Sequence, residues 1–424
     1  MNQIYAFMPT LKVFQIFGIN PFAVNKNFQP EESRNWKIYS IFCIAFSILP
    51  LSASWYDGKL YLAEDKSDRG FIVDFIQLLG VRLTHLIIVF EAFYQQKLLL
   101  EYFVKLYELD MIIETDIGGV KIERNRGKHL RMLMTAALFY VGVLLVSLVF
   151  LMKRDLTIYI YAISYLLSYL ISCFRYLQYF HCVWFIRQRL IILNAKFSEI
   201  EIDNKNIERK VKNLKFIKSV DVLLYKNDLK SQKYKKNFEL LILMRKMYNK
   251  VYILSTLVNY SFGFSLLSNI ANDFFSLTAN SYFICLSMIN SSELIEKIFN
   301  GVRSFLWCSP HLLNLILASI VCHLTIRTVS NQKICKEINS NKKNSLKQSN
   351  KTGLILHKLK VDYNNEIQTL FIEQFSLQLL HQKIQFNAFG FFNLDLSLLY
   401  TIVAAITTYL VILIQFYISG RDSS

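Results

Sequence analysis

Polar and ionisable side chains that interrupt long apolar runs are the residues of this chain best able to do chemistry. Asp74 and Gln77 stand three apart, as do Asn269 and Asn272, with Asp273 following. Trp307 and His311 stand four apart, and Tyr165 shares an apolar run with Tyr159 and Tyr161. Spacings of three and four put such residues on one face of a helix. Flat aromatic walls with a few fixed polar contacts are what a small-ligand pocket needs. A carboxylate left uncompensated inside an apolar helix is costly, which makes Asp74 the first candidate for a ligand contact. Each residue also has a structural alternative. Tyrosines mark membrane interfaces, Trp307 and His311 can be packing, and Arg82 or Arg175 can pair with a buried acid.

A second pattern lies near the C-terminus. Ser397, Thr401, Ala404, Thr408, Val411 and Gln415 recur at steps of four and three within the apolar run 394–416. They form one small or polar stripe on a helix long enough to cross a bilayer. Such a stripe can pack against a neighbouring helix. Alternatively, several copies can turn it toward a shared water-filled axis. Spacing alone leaves both open.

The end of that run carries a motif. Thr408-Tyr409, five apolar residues at 410–414, and Gln415-Phe416 follow one another, preceded by Gly390 and Phe391-Phe392-Asn393-Leu394-Asp395. This resembles the C-terminal signature of the insect gustatory receptors, over about the last 40 residues. The resemblance implies a ligand-gated cation channel of four subunits with an inverted seven-span arrangement. It implies that the last helix lines the pore, with Gln415 and Phe416 at or near the gate and Val411, Thr408 and Thr401 along it. It also implies an outward-facing pocket formed by the second, fourth, fifth and sixth spans, for which Asp74, Gln77, Tyr165, Asn269, Asn272, Trp307 and His311 are the candidates.

The elements that must position these residues are legible as apolar runs. The chain has 424 residues, 53% of them hydrophobic and 15% aromatic, which fits an all-α polytopic membrane protein. Seven spans are predicted at about 37–55, 71–93, 130–152, 157–186, 251–277, 302–326 and 394–416. The net charge of +17 falls in loops between them, so it points to a cytoplasmic membrane face and not to nucleic acid. Roughly 16 Lys and Arg lie in 189–250, about nine in 327–361 and about six in 95–129. These are the even-numbered loops, which puts the N-terminus in the cytoplasm and the C-terminus outside, with a multi-pass plasma-membrane location. Asn290, in a glycosylation sequon, is then extracellular; Asn350, in another, is cytoplasmic.

The organisation that follows is an N-terminal cytoplasmic segment (1–36), spans one to four (37–186), and cytoplasmic helical extensions around a basic insert (187–250). Spans five and six (251–326) come next. A basic loop with an amphipathic anchor helix (327–390) and the last helix with a short extracellular tail (391–424) complete the chain. Leu11, Phe14 and Phe17 suit a short interfacial helix, and 203–236 and 333–351 read as solvated and partly disordered. The seven scattered cysteines include no CxxC pair, no signal peptide is evident, and no motif for a cofactor, a metal or an enzyme occurs. The leading reading is a tastant-gated, non-selective cation channel, a homotetramer or a hetero-oligomer with related receptors. Its partners are a small-molecule tastant, permeant cations and membrane lipids. Plant secondary compounds are favoured over sugars as ligands. A seven-helix receptor signalling through a partner protein is the alternative, and a transporter the third.

Overall fold

A computed structural model describes residues 3–25, 29–63, 69–117, 126–149, 156–213, 220–290, 294–330 and 366–422. The chain runs through α1 (Gln3–Ile16), β1 (Phe22–Val24), β2 (Pro30–Glu32), α2 (Arg34–Ala63), α3 (Arg69–Tyr94) and α4 (Gln96–Ile112). It continues through α5 (Arg126–Val149), α6 (Leu156–Asn213), α7 (Val220–Asn290) and α8 (Leu294–Ser330). Then follow α9 (Glu366–His381), β3 (Asn387–Ala388), β4 (Phe392–Asn393) and α10 (Leu396–Asp422). Among the described residues, stretches of α3, α7, α8 and α10 are long and apolar enough to cross a membrane; a shorter apolar stretch, Arg131–Val143, lies in α5.

Helices α3, α6, α7 and α8 form the centre, packed pairwise along their apolar faces. The core includes Val81, Ile88, Tyr179, Val183, Val258, Phe262, Leu266, Ala318 and Cys322. At 71 residues, α7 would run about 107 Å at 1.5 Å per residue, far beyond a hydrocarbon core of about 30 Å. Its N-terminal part and the C-terminal part of α6 extend well past the apolar runs. The region read from composition as partly disordered is therefore helical to Asn213 and again from Val220. Lys, Glu and Gln are good helix formers, and composition had hidden that. The other such region, 333–351, lies outside the described residues.

Two further expectations change. The N-terminal helix α1 is not interfacial. Phe7, Leu11 and Phe14 are buried, and the Phe7 ring meets Phe103, His181 and Phe185 of α4 and α6. The basic loop 95–129 contains α4, whose Leu99, Tyr102, Phe103, Leu106 and Leu109 are buried at helical spacing. Arg189 of α6 fastens α4 from within the core. Its Nε and Nη2 donate to the two carboxylate oxygens of Asp110 at 2.8 and 2.7 Å.

The amphipathic helix α9 lies on the N-terminal extension of α7. Arg245 donates to Gln378 and Gln374, and Tyr248 donates to the Gln382 carbonyl. Ile372, Phe375 and Leu379 are buried, while Ile367, Leu370, Leu377 and Leu380 are exposed. A short hairpin, with Phe389, Gly390 and Phe391 between its paired residues, then redirects the chain. Asn387 pairs with Asn393 and Ala388 with Phe392. Phe389 and Gly390 at the turn have φ of 51° and 80°. Two positive-φ residues make a hairpin turn whose twist matches its strands, and Gly390 meets that demand without strain.

Candidate functional site

The side chains that could meet a ligand converge from three helices. On α6, Tyr165, Tyr169, Ser172 and Tyr176 follow one another at steps of four, three and four, so they share a face. On α7, Asn269, Asp273 and Ser276 do the same, and on α8 so do Trp307, His311 and Asn314. Tyr165 stacks between Trp307, 4.9 Å away between ring centroids, and Tyr169, 6.0 Å away. Tyr169 leans on the His311 ring at 4.6 Å.

Behind this aromatic wall Asp273 is buried and compensated. His311 Nδ1 donates to its Oδ1 at 2.7 Å and the Tyr176 hydroxyl to its Oδ2 at 2.8 Å. The third side is closed by Tyr140 of α5, whose hydroxyl donates to Asn314 Oδ1, while Asn314 Nδ2 lies 3.4 Å from Cys173 Sγ. The Ser172 and Ser276 hydroxyls, on the same faces, have no hydrogen-bond partner among the described residues. A buried hydroxyl without a partner costs free energy unless a ligand or water completes it.

The α3–α7 interface carries a second polar group. Asn272 lies against Gly80, where an added Cβ would come within 2.8 Å of its Oδ1. Thr84 and Ser268 share a hydrogen bond of 3.0 Å. Gln77 Nε2 and Asn269 Nδ2 are buried without a partner among the described residues.

The structure thus brings Tyr165, Trp307 and His311 together, and puts Gln77, Asn269 and Asn272 along the neighbouring seam. The side chain of Asp74 lies outside the described residues, as do those of Tyr159, Tyr161 and Asn290. Sequence reasoning missed Tyr169, Tyr176, Tyr140 and Asn314. Repeats of Tyr at three- and four-residue steps along α6 were the available signal.

In α10 the stripe and the packed face are on opposite sides. Leu398 and Ile402 are buried against the bundle, with Ile406, Leu410 and Ile414 half-buried after them. Ser397, Thr401, Ala404, Thr408, Val411 and Gln415 are all exposed on the subunit. At about 100° per residue the two series lie roughly half a turn apart. The Thr401 and Thr408 hydroxyls donate to the carbonyls four residues earlier, at 3.1 and 2.9 Å. Their polarity is satisfied within the helix, so these two threonines do not depend on a partner helix for hydrogen bonds. Phe416 is exposed toward the C-terminal end of α10.

Where α3, α6 and α7 meet, Arg175 and Glu91 form a buried ion pair at 3.0 Å. The Arg175 guanidinium lies over the Phe262 ring, 4.1 Å from its centroid. Among the described residues, no group of three His, Cys, Asp or Glu side chains is placed to hold a metal ion.

Comparison with known proteins bears on this arrangement. The profile of the family described as 7tm chemosensory receptor matches residues 7–420. The Drosophila melanogaster protein named gustatory receptor 2a is 33% identical over 385 residues, covering 84% of this chain and 82% of that protein. The fold is that of the olfactory receptor OR5 of the insect Machilis hrabei. The TM-score is 0.61 at 13% identity, over 97% of this chain and 98% of that one. The structure of the same receptor in complex with eugenol gives a TM-score of 0.58 at 13% identity, over 98% and 100% of the two chains.

Proposed function

The chain belongs to the 7tm chemosensory receptor family, and we propose that it is a tastant-gated, non-selective cation channel in the plasma membrane. It is a membrane chemoreceptor, not an enzyme. In this reading seven helices cross the bilayer, with the N-terminus inside. They are α2, α3, α5, the outer part of α6, α7, α8 and α10. Four copies, or copies with related chains, surround one axis and turn the α10 stripes toward it. The exposed apolar side of α9 meets the same side of its neighbours on the cytoplasmic face.

The observation that carries this reading is the division of α10. One face is fixed to the bundle, and the opposite, small and polar face is left uncovered by its own subunit. Lipid gains nothing from threonines and a glutamine at membrane depth, whereas a water-filled axis does. Closed, Phe416 and neighbouring aliphatic side chains would make a ring too apolar to stay wet. Open, the Gln415 amides would face hydrated cations without a fixed charge, so discrimination among Na⁺, K⁺ and Ca²⁺ should be weak.

The ligand site in this reading is the α6–α7–α8 aromatic wall with the α3–α7 seam, and Asp74 belongs to it. Stacked Tyr165, Tyr169 and Trp307 with scattered hydroxyls and amides suit flat, sparsely polar plant compounds better than sugars. Asp273, behind the wall, already accepts from His311 and Tyr176, which makes it less available to a polyhydroxylated ligand.

The test is the purified chain alone in a planar bilayer. Phe416→Ala should carry current without ligand, and Gln415→Ala should change relative cation permeability. A protein that reaches the membrane but stays silent in both forms would exclude the channel. Orientation has its own check: a glycan on Asn290 fits the arrangement, whereas one on Asn350 would invert it.

A further inference from the structure

The ion pair between Glu91 and Arg175 does more than neutralise two buried charges. Each partner reaches into the backbone of α7. The amide N–H groups of Phe264 and Ser265 donate to Glu91 Oε1 and Oε2 at 2.8 and 3.1 Å. Arg175 Nη2 donates to the Ser261 carbonyl at 2.6 Å, and its Nε donates to the Ser265 hydroxyl at 3.0 Å. Ser261 C=O and Ser265 N–H are the two ends of one rung of the helix ladder. Here both ends are also held by the ion pair, one by the cation and one by the anion. Side chains that enter the ladder in this way are a recognised cause of local helix deformation.

The same turn of α7 carries the chain segment that leads to α10. An added Cβ on Gly263 would lie 3.2 Å from the Phe389 backbone nitrogen, so the hairpin rests directly on α7 there. The Phe264 and Phe389 rings meet at 6.1 Å. One turn earlier, Asn259 donates to the Gln385 carbonyl at 2.8 Å and accepts from the Asn387 amide at 3.2 Å. Within seven residues, 259–265, α7 is gripped from one side by α3 and α6. From the other it holds the hairpin that starts α10.

We propose that the Glu91–Arg175 pair is the coupling clamp of this protein. It ties the position of α3 and α6, which carry much of the candidate ligand site, to the α7 turn on which the α10 hairpin sits. Glu91 and Arg175 are positioning residues: neither touches ligand nor pore. A shift of α6 relative to α3 would have to move the Ser261 carbonyl with Arg175 or the Phe264–Ser265 amides with Glu91. Either motion displaces the Phe389–Gly390 turn. The inference rests on the channel reading for its functional consequence, and on geometry alone for the link from Glu91 to the hairpin.

Two readouts keep these levels apart. The first is hydrogen–deuterium exchange of the full chain in lipid nanodiscs without ligand. Glu91→Gln removes the charge but keeps the shape, and Asn259→Ala cuts the second tie without touching the ion pair. Both variants should speed exchange of the hairpin amides at Asn387, Gly390 and Leu394 by about fivefold or more. An unchanged hairpin in Glu91→Gln overturns the clamp. If Glu91→Gln does not fold, an unchanged hairpin in Arg175→Lys, which keeps the charge but gives up the guanidinium's several contacts with α7, does so. The second readout is the ligand-independent current of Phe416→Ala in a planar bilayer. Adding Glu91→Gln, or Asn259→Ala, should change that current by a similar factor at equal surface density. The same current with and without the added change overturns the clamp as a gating element. No current from Phe416→Ala alone counts instead against the channel reading, and leaves the exchange measurement to decide the clamp.

Discussion

The central bundle and α10 are built on opposite principles. In the most apolar 18-residue window of α7, 56% of residues are buried within the chain; in that of α10, only 6% are. The bundle buries charged side chains and pairs them: Arg189 with Asp110, Arg175 with Glu91, His311 with Asp273. The last helix shows its polar groups and satisfies its threonines from its own backbone. A region that pairs its buried charges among its own helices can fold as a unit. A membrane helix covered on one narrow face is unfinished until something else surrounds it. Stability should therefore reside in the bundle, and the properties of α10 should emerge only in the assembly.

The largest expected effect tests the first half of that contrast. Arg189→Met leaves Asp110 charged and unpaired in a buried site. Breaking such a pair by removing one partner costs about 3–5 kcal/mol. The yield of monodisperse protein in detergent should collapse. Thr408→Val in α10, by contrast, should cost less than about 0.5 kcal/mol, as for substitutions away from any buried network. Comparable losses from the two changes would erase the distinction between the regions.

A middle-sized effect sharpens the role of the bundle. If Asp74 holds a polar group of the ligand, Asp74→Ala should raise the half-maximal concentration roughly 10- to 150-fold at normal surface expression, from a lost charged hydrogen bond of about 1.5–3 kcal/mol. An unchanged dose–response would remove Asp74 from the site. Loss of expression would give it a structural role like that of Asp110.

How far the sequence disclosed this contrast depends on how local the signal was. The α10 stripe was legible because its spacing is a property of one helix, and so was the turn at Gly390. The alternation of apolar runs and basic loops located the helices but not their ends. Hydropathy stops where α6 and α7 leave the apolar runs, and the helices do not. Helix α4 was overlooked because charge dominated the reading of 95–129. Yet Leu99, Tyr102, Phe103, Leu106 and Leu109 already had the spacing of a buried face. The polar site was legible only in pieces. His311 and Asp273 are 38 residues apart, and Tyr176 and Asp273 are 97 apart. No periodicity within one helix announces a partner on another. Asp273 therefore stood in the sequence only as a polar residue following Asn272, and the structure gives it two donors.

The smallest expected effect lies at the edge of the bundle, between α4 and α7. Lys250 donates to Glu108, which joins α7 to α4, and this contact holds the Glu108 carboxyl below its usual range. A depressed carboxylate contributes stability above its unfolded pKa and loses it as pH falls through the folded value. Both side chains keep solvent contact, so the pair is worth at most about 1 kcal/mol. Glu108→Gln should lower thermal stability slightly at neutral pH, and the difference from the parent protein should vanish once acid has protonated Glu108. A difference that persists in acid would give Glu108 a role other than its charge.

The most direct test of the account is the side-dependence of α10 in a conducting protein. Cysteine is placed at Thr408, on the exposed stripe, and separately at Ile406, on the face against the bundle. Each is combined with Phe416→Ala in purified protein in a planar bilayer, and a charged thiol reagent is added from the outer side. The account predicts that current falls irreversibly for Thr408→Cys and is unchanged for Ile406→Cys. Equal block at both positions, or block at Ile406→Cys alone, would contradict the claim that the uncovered stripe of α10 lines the path of the ions.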